Sequence, residues 1–265
     1  MVAAITVTAD TANSRISLAV TGATGGTGYI RRTNPDGSAN TVRNGEPATF
    51  TAGAWSDYDY EAPMDLAVTY QVLSSDQTTV QATSSSVTLA SGDKTWLKDP
   101  SVPTLNFVLK VTAMGDLSRE LPMGVFYVAG RTYPVVTTGR RFVPTGEVVC
   151  YTETFAERQA MLNILSSGRV LQLSTPDGYG WGAYYVTVGT VNEHRPTPIA
   201  DNSVRHWTLP LTITDRPAYV SSAASGNTWG DVVSNYATWA DVIRLKATWN
   251  DLIAAVAPAT QAPGV

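Results

Sequence analysis

The side chains able to carry chemistry in this 265-residue chain are few and scattered. His194 and His206 are the two histidines, too few for most histidine-based metal sites, and neither a Cys-x-x-Cys nor a His-Glu-x-x-His spacing occurs. Either histidine would need a serine to orient, yet no serine sits in a Gly-x-Ser-x-Gly elbow. Glycoside cleavage needs two acids facing one cleft, and no spacing singles out Glu147, Glu153 or Asp177 for it. The segment Gly22-Ala23-Thr24-Gly25-Gly26-Thr27-Gly28 lacks the P-loop lysine and precedes a strand, so it is expected to be a flexible hairpin loop. Asp57, Asp59 and Glu61 alternate, which places them on one strand face and makes a cation site the alternative to an ordinary acidic strand. The one cysteine, Cys150 in Glu147-Val148-Val149-Cys150-Tyr151, excludes an internal disulfide and reads as a small buried hydrophobe. No enzyme, cofactor or metal is expected.

Recognition chemistry is better represented. Arg31-Arg32 and Arg140-Arg141 carry rigid multidentate donors suited to subunit interfaces, with a solvated strand edge as the alternative. Three ten-residue units close the chain: Thr228-Trp229-Gly230-Asp231-Val232-Val233, Thr238-Trp239-Ala240-Asp241-Val242-Ile243 and Thr248-Trp249-Asn250-Asp251-Leu252-Ile253. Each opens as a helix start, with threonine at the N-cap and aspartate three residues on. Tryptophan and the two aliphatic residues then share one helical face, yet each unit is shorter than the roughly 12–15 residues an isolated helix needs. These short helices require a partner surface, on their own domain or on another chain. Trp229, Trp239, Trp249, Val232, Val242 and Leu252 are therefore the expected partner-binding residues, with Arg140 and Arg141. A sugar-binding platform is disfavoured because each ring lies on the aliphatic side of its unit.

The elements that must position these residues are mostly strands. A hydrophobic content of 43% suffices for cores in two domains, and a net charge of −4 with 15% charged residues suggests neither a nucleic-acid groove nor an anionic membrane surface. No secretory signal and no run of membrane-spanning length is read from the sequence. Period-two alternation predicts strands at 5–8, 15–20, 69–73, 86–89 and 107–111, with tight turns at Asn34-Pro35-Asp36-Gly37 and Arg43-Asn44-Gly45-Glu46. Trp96-Leu97-Lys98-Asp99-Pro100 and Val102-Pro103 interrupt this pattern, so 91–120 is expected to cross between domains. Strands resume at 124–128, 133–136 and 146–151. A capping box at Thr154-Phe155-Ala156-Glu157 then opens a helix over 154–167, its apolar face Ala160, Met161, Ile164 and Leu165, stopped by Gly168. Strands at 171–173, 184–189 and 207–213 follow. The expected fold is mainly β in three parts: a sandwich at 1–115, a β domain with one packed helix at 116–218, and short helical Trp repeats in a C-terminal extension at 219–265.

Trp55, Asp59-Tyr60-Glu61-Ala62-Pro63 and Val68-Thr69-Tyr70-Gln71-Val72 resemble the middle of a fibronectin type III domain, which implies an immunoglobulin/fibronectin-like sandwich for the first part. Gly139-Arg140-Arg141, the helix, Leu171 to Pro176, Trp207-Thr208-Leu209-Pro210-Leu211 and the tandem Thr-Trp-x-Asp units together resemble minor tail proteins of long-tailed bacteriophages. That resemblance implies a structural virion protein at the tail tip, made in the bacterial host cytoplasm. It implies a distal tail protein whose copies form a ring homo-oligomer at the end of the tail tube. Its further partners would be the tail tube and the tail-tip or baseplate hub, docked through the C-terminal repeats. The sandwich precedes the ring-like domain here, whereas many distal tail proteins place the ring-forming domain first. The competing expectation is a carbohydrate-binding or host-surface adhesion module, in which Trp55, Trp181 and tyrosines stack on host-surface glycans.

Overall fold

Alternation along the first ninety residues produces two antiparallel sheets that face one another. The computed structural model describes residues 2–198 and 202–217. The expected partner-binding residues Trp229, Val232, Trp239, Val242, Trp249 and Leu252 lie outside the described residues. The described part is mainly β, 47% strand with one α-helix. β1 (Ala4–Asp10), β2 (Arg15–Thr21), β3 (Thr27–Thr33), β4 (Ala39–Thr41), β5 (Ala48–Thr49), β6 (Trp55–Asp59), β7 (Ala67–Ser74), β8 (Val80–Thr83) and β9 (Val87–Thr88) build these sheets. One is ordered β1-β2-β6; the other is β4-β3-β7-β8, with β5 on β3 and β9 on β7. Ile16, Leu18 and Val20 of β2 point into the same core as Val68, Tyr70 and Val72 of β7. Each such burial stabilises by about 1.5–3 kcal/mol.

Turn chemistry is met in one place and replaced in two. Gly37 adopts φ 82° and donates to the carbonyl of Asn34 at 3.0 Å, closing the expected turn between β3 and β4. Arg43–Gly45 forms a 3-10 turn instead of a tight hairpin. Gly45 stands there because a Cβ would come within 2.8 Å of Ile30. The glycine-rich 22–26 segment is not a hairpin loop, because β2 and β3 belong to different sheets. It carries the chain across, with Gly22 at φ 67° and Gly25 at φ 86°.

The second layer is a closed barrel. Its strands are β10 (Thr95–Lys98), β11 (Phe107–Met114), β14 (Thr145–Thr152), β15 (Leu171–Ser174), β16 (Ala183–Val188) and β18 (Arg205–Thr214), with β12 (Met123–Phe126) and β13 (Val135–Thr138) lying between β11 and β14. Pairing runs β14-β11-β10-β15-β16-β18, and β18 returns to β14 along Thr145–Thr152, so six antiparallel strands close on themselves. β17 (Asn192–His194) adds to β18. Trp207, Leu209 and Leu211 alternate inward toward Val148, Cys150, Leu173 and Val186. Burial pushes the Cys150 thiol up to about 12, in keeping with a small hydrophobe. α1 (Phe155–Ser166) starts where Thr154 accepts from the Glu157 amide at 3.1 Å, and it packs Met161 and Ile164 into the barrel core. Gly168, at φ 60°, follows its end.

The stretch expected to cross between domains contains a core strand. All four residues of β10 are buried, with Trp96 in the sandwich core and Leu97 in the barrel core. A strand covered on both faces loses period-two alternation, so the sequence hides it. β11, placed before residue 115 by the sequence reading, pairs with β10 and β14 of the barrel. Sandwich and barrel group as one unit ending at Pro217.

Candidate interaction surface

Between β11 and β14 the chain leaves the barrel as an arm. β12 and β13 pair only with each other, and pairing continues below them through Gly139 to Pro122 at 2.9 Å, Phe142 to Glu120 at 2.9 Å and the reciprocal Ser118–Thr145 bonds. The sequence reading expected strands here but within the second domain's sheet; they form a separate ribbon. No residue from Lys110 to Glu147 is buried. Met123, Phe126, Tyr127, Tyr133 and Phe142 are 64%, 56%, 86%, 81% and 55% exposed. A two-stranded ribbon alone is marginal in water, and clustered exposed apolar side chains mark an interaction site.

Arg140 and Arg141 follow β13 at the base of this arm, exposed, and neither forms an ion pair among the described residues. Arg141 Nη1 donates to the Arg119 carbonyl at 3.3 Å. Across 118–143, Arg119, Arg131, Arg140 and Arg141 against Glu120 give +3. The whole chain is −4, so the remainder carries −7. The arm thus pairs apolar surface with positive charge on an acidic molecule.

Arg31-Arg32 plays a different part. Arg32 is buried and donates from Nη1 to Asp59 Oδ2 at 2.6 Å, where the Tyr70 hydroxyl also donates at 3.0 Å. Arg31 donates to Gln71 at 2.8 Å. Glu61 accepts from Arg43 at 2.6 Å and 3.2 Å, from Arg216 at 2.6 Å and from Tyr185 at 2.8 Å. Burial raises the Glu61 pKa, but the hydrogen bonds and charges of Arg43 and Arg216 outweigh that and hold it at about 2. Lys98, fully buried, donates to the carbonyls of Ser14 at 2.9 Å and Tyr60 at 2.8 Å. The cation reading of Asp57, Asp59 and Glu61 is therefore corrected. Guanidinium and phenol groups occupy Asp59 and Glu61, and no group of three metal-ligating side chains exists among the described residues.

The catalytic candidates stay apart. Glu147 and Glu153 are six residues apart along β14 and its exit, about 20 Å at strand rise. Glu153 pairs with Lys110 at 2.5 Å, and Asp177 opens a 3-10 turn after β15. His194 and His206 are cross-strand partners on β17 and β18, with His206 tilted against Tyr151 at 6.3 Å. Trp55 packs against the sandwich core and Trp181 against the barrel core, so no shared aromatic platform forms. The arm's apolar surface itself was missed by sequence reading; its signal was eighteen residues, 121–139 less Arg131, without a charge.

Sandwich, closed barrel and arm define a mainly β protein with an exposed apolar ribbon. Among the described residues no helix is long and apolar enough to cross a membrane. No protein-family model matches the chain, and no curated protein matches it.

Proposed function

We propose that this chain is a structural, non-enzymatic subunit of a bacteriophage tail tip, a minor tail protein that assembles as a ring at the distal end of the tail tube. The observation that carries the reading is the arm, in which no residue from Lys110 to Glu147 is buried while large apolar side chains face water. Covering such surface gains about 25 cal/mol per Å², and cyclic symmetry repeats the contact in every copy. In this reading the arm lies on a neighbouring copy, with Arg140 and Arg141 seated on acidic surface. The three-stranded sheet facing the β4-β3-β7-β8 sheet supports a fibronectin type III-like sandwich carried outside. The closed barrel with one helix supports the second domain as the ring-forming unit. Trp229, Trp239 and Trp249, with Val232, Val242 and Leu252, then dock neighbouring tail proteins of the tube or hub, and the virion is the site of action.

The test is light scattering on the full chain across a wide concentration range. Wild type is expected to form a closed ring-sized species, and Phe126→Ser/Tyr127→Ser/Tyr133→Ser to remain monomeric with an unchanged melting temperature. A wild type that stays monomeric at every concentration, with or without residues 219–265 and with purified tail-tube protein added, would overturn the reading.

A further inference from the structure

The β3–β4 hairpin and the loop after β6 border barrel strands β15 and β16 around a cleft of about 400 Å³, within the size range of small-molecule sites. Arg32, Asp36 and Asn40 line it from the hairpin, Leu66 from the loop, and Gln172 and Tyr185 from the barrel. Gln172 is 2% exposed, and its Nε2 donates to the Glu61 carbonyl at 3.2 Å. A carbonyl only accepts, so this bond fixes the amide orientation and leaves the buried Oε1 as an acceptor without a donor among the described residues. A buried acceptor of that kind calls for a hydroxyl or amide from outside.

The rest of the lining selects the class of ligand. Arg32 spends Nε on Asn34 and Nη1 on Asp59, leaving Nη2 without an acceptor among the described residues. Asn40 offers an amide with donor and acceptor ends, and no side-chain hydrogen bond occupies it among the described residues. Asp36 commits Oδ1 to Ser38 at 2.6 Å and 2.9 Å and has Oδ2 to spare. The charges around the cleft balance, Arg32 against Asp59 and Arg43 with Arg216 against Glu61 with Asp36, so the cleft presents no net charge to an anion. Leu66 and the Tyr185 ring supply apolar wall. Alternating donors and acceptors beside apolar surface, without a dominant charge, match a ring bearing several hydroxyls and a C–H face.

We propose that this cleft binds a neutral saccharide residue, a hexose or its deoxy or N-acetyl relative. The site sits where the sandwich meets the barrel and uses side chains of both. It is independent of the arm, so binding and assembly can fail separately.

The full chain would be titrated with glucose, galactose, rhamnose and N-acetylglucosamine by ligand-observed saturation-transfer NMR, with inorganic phosphate and glucuronate added as charged competitors for the sugar signal. At least one neutral sugar is expected to saturate with a dissociation constant on the order of 1 mM. Asn40→Leu and Asp36→Asn, both at the cleft rim and the second keeping Oδ1 for Ser38, should each weaken it about tenfold without shifting the melting temperature. The arm triple-serine variant should bind the sugar as wild type does. No saturable neutral sugar, equal binding by both rim variants and wild type, or phosphate binding more tightly than every sugar would each overturn the proposal.

Discussion

Glu61 accepts from Arg43, Arg216 and Tyr185, so one carboxylate ties the sandwich to β16 and to the chain leaving β18. Its pKa is held near 2 in the folded chain against 4.5 ordinarily, so between those values the native state binds fewer protons than the unfolded one. Stability contributed by Glu61 is complete above pH 4.5 and is lost as pH falls toward 2, about 3 kcal/mol in all. Glu61→Gln should destabilise at neutral pH by about 3–5 kcal/mol, because two part-buried guanidinium groups lose their anion, and should flatten the acid limb of urea-melt stability against pH. An acid limb as steep as wild type's would refute that role. Lys98 gives the same sign of pH dependence for a different reason, since its buried charge costs stability where that of Glu61 contributes it. Burial holds its ammonium down to about 7 despite Asp59 and Glu61, so from pH 7 to 10.5 the folded state again binds fewer protons and stability rises with pH. Lys98→Met should abolish that alkaline gain in the same melts. Asp59 and Glu61 were visible in the sequence as alternating acids, but their partners were not. The pairing residues Arg32, Arg43 and Arg216 lie 27, 18 and 155 positions away, and strand periodicity carries no information about distant charge partners.

Strands with one wet face were legible because their side chains alternate, as β2 and β7 do. α1 was legible because its cap is local: Thr154 and Glu157 are three residues apart and satisfy the first-turn amides themselves. β10 was not, since Trp96 and Leu97 serve two cores and Lys98 is buried through backbone carbonyls that no sequence pattern announces. Close approach is equally silent. Gly28 on β3 has ordinary neighbours in sequence, yet a Cβ there would strike the Leu73 carbonyl and come within 2.6 Å of the Phe50 ring. Backbone of the adjacent strand cannot rotate aside as a flexible side chain can. Gly28→Ala should therefore destabilise by about 3 kcal/mol, at the upper end of overpacking costs, and equilibrium urea unfolding would measure it. A change below about 0.5 kcal/mol would mean that β3 and β7 separate more readily than their register implies.

At the scale of the molecule, the arm and the body answer to different free energies. The body is held by two buried cores joined at β10, while the arm adds no buried residue to either. Strand pairing alone does not keep such a ribbon stable in water, and the uncharged stretch 121–139, apart from Arg131, is the composition that pairs with other chains when exposed. If the arm worked only for its own subunit, deleting it would cost folding stability. If it works for assembly, deletion would cost association and leave the fold intact. Replacing residues 121–139 with a short Gly-Ser linker should shift unfolding stability by less than about 1 kcal/mol, since the closing Ser118–Thr145 bonds stay in place and a flexible loop closes cheaply. The same variant should fail to enter the ring-sized species in light scattering and should raise the soluble monomer fraction. A deletion that melts the barrel, or that assembles like wild type, would separate the arm from the interface assigned to it.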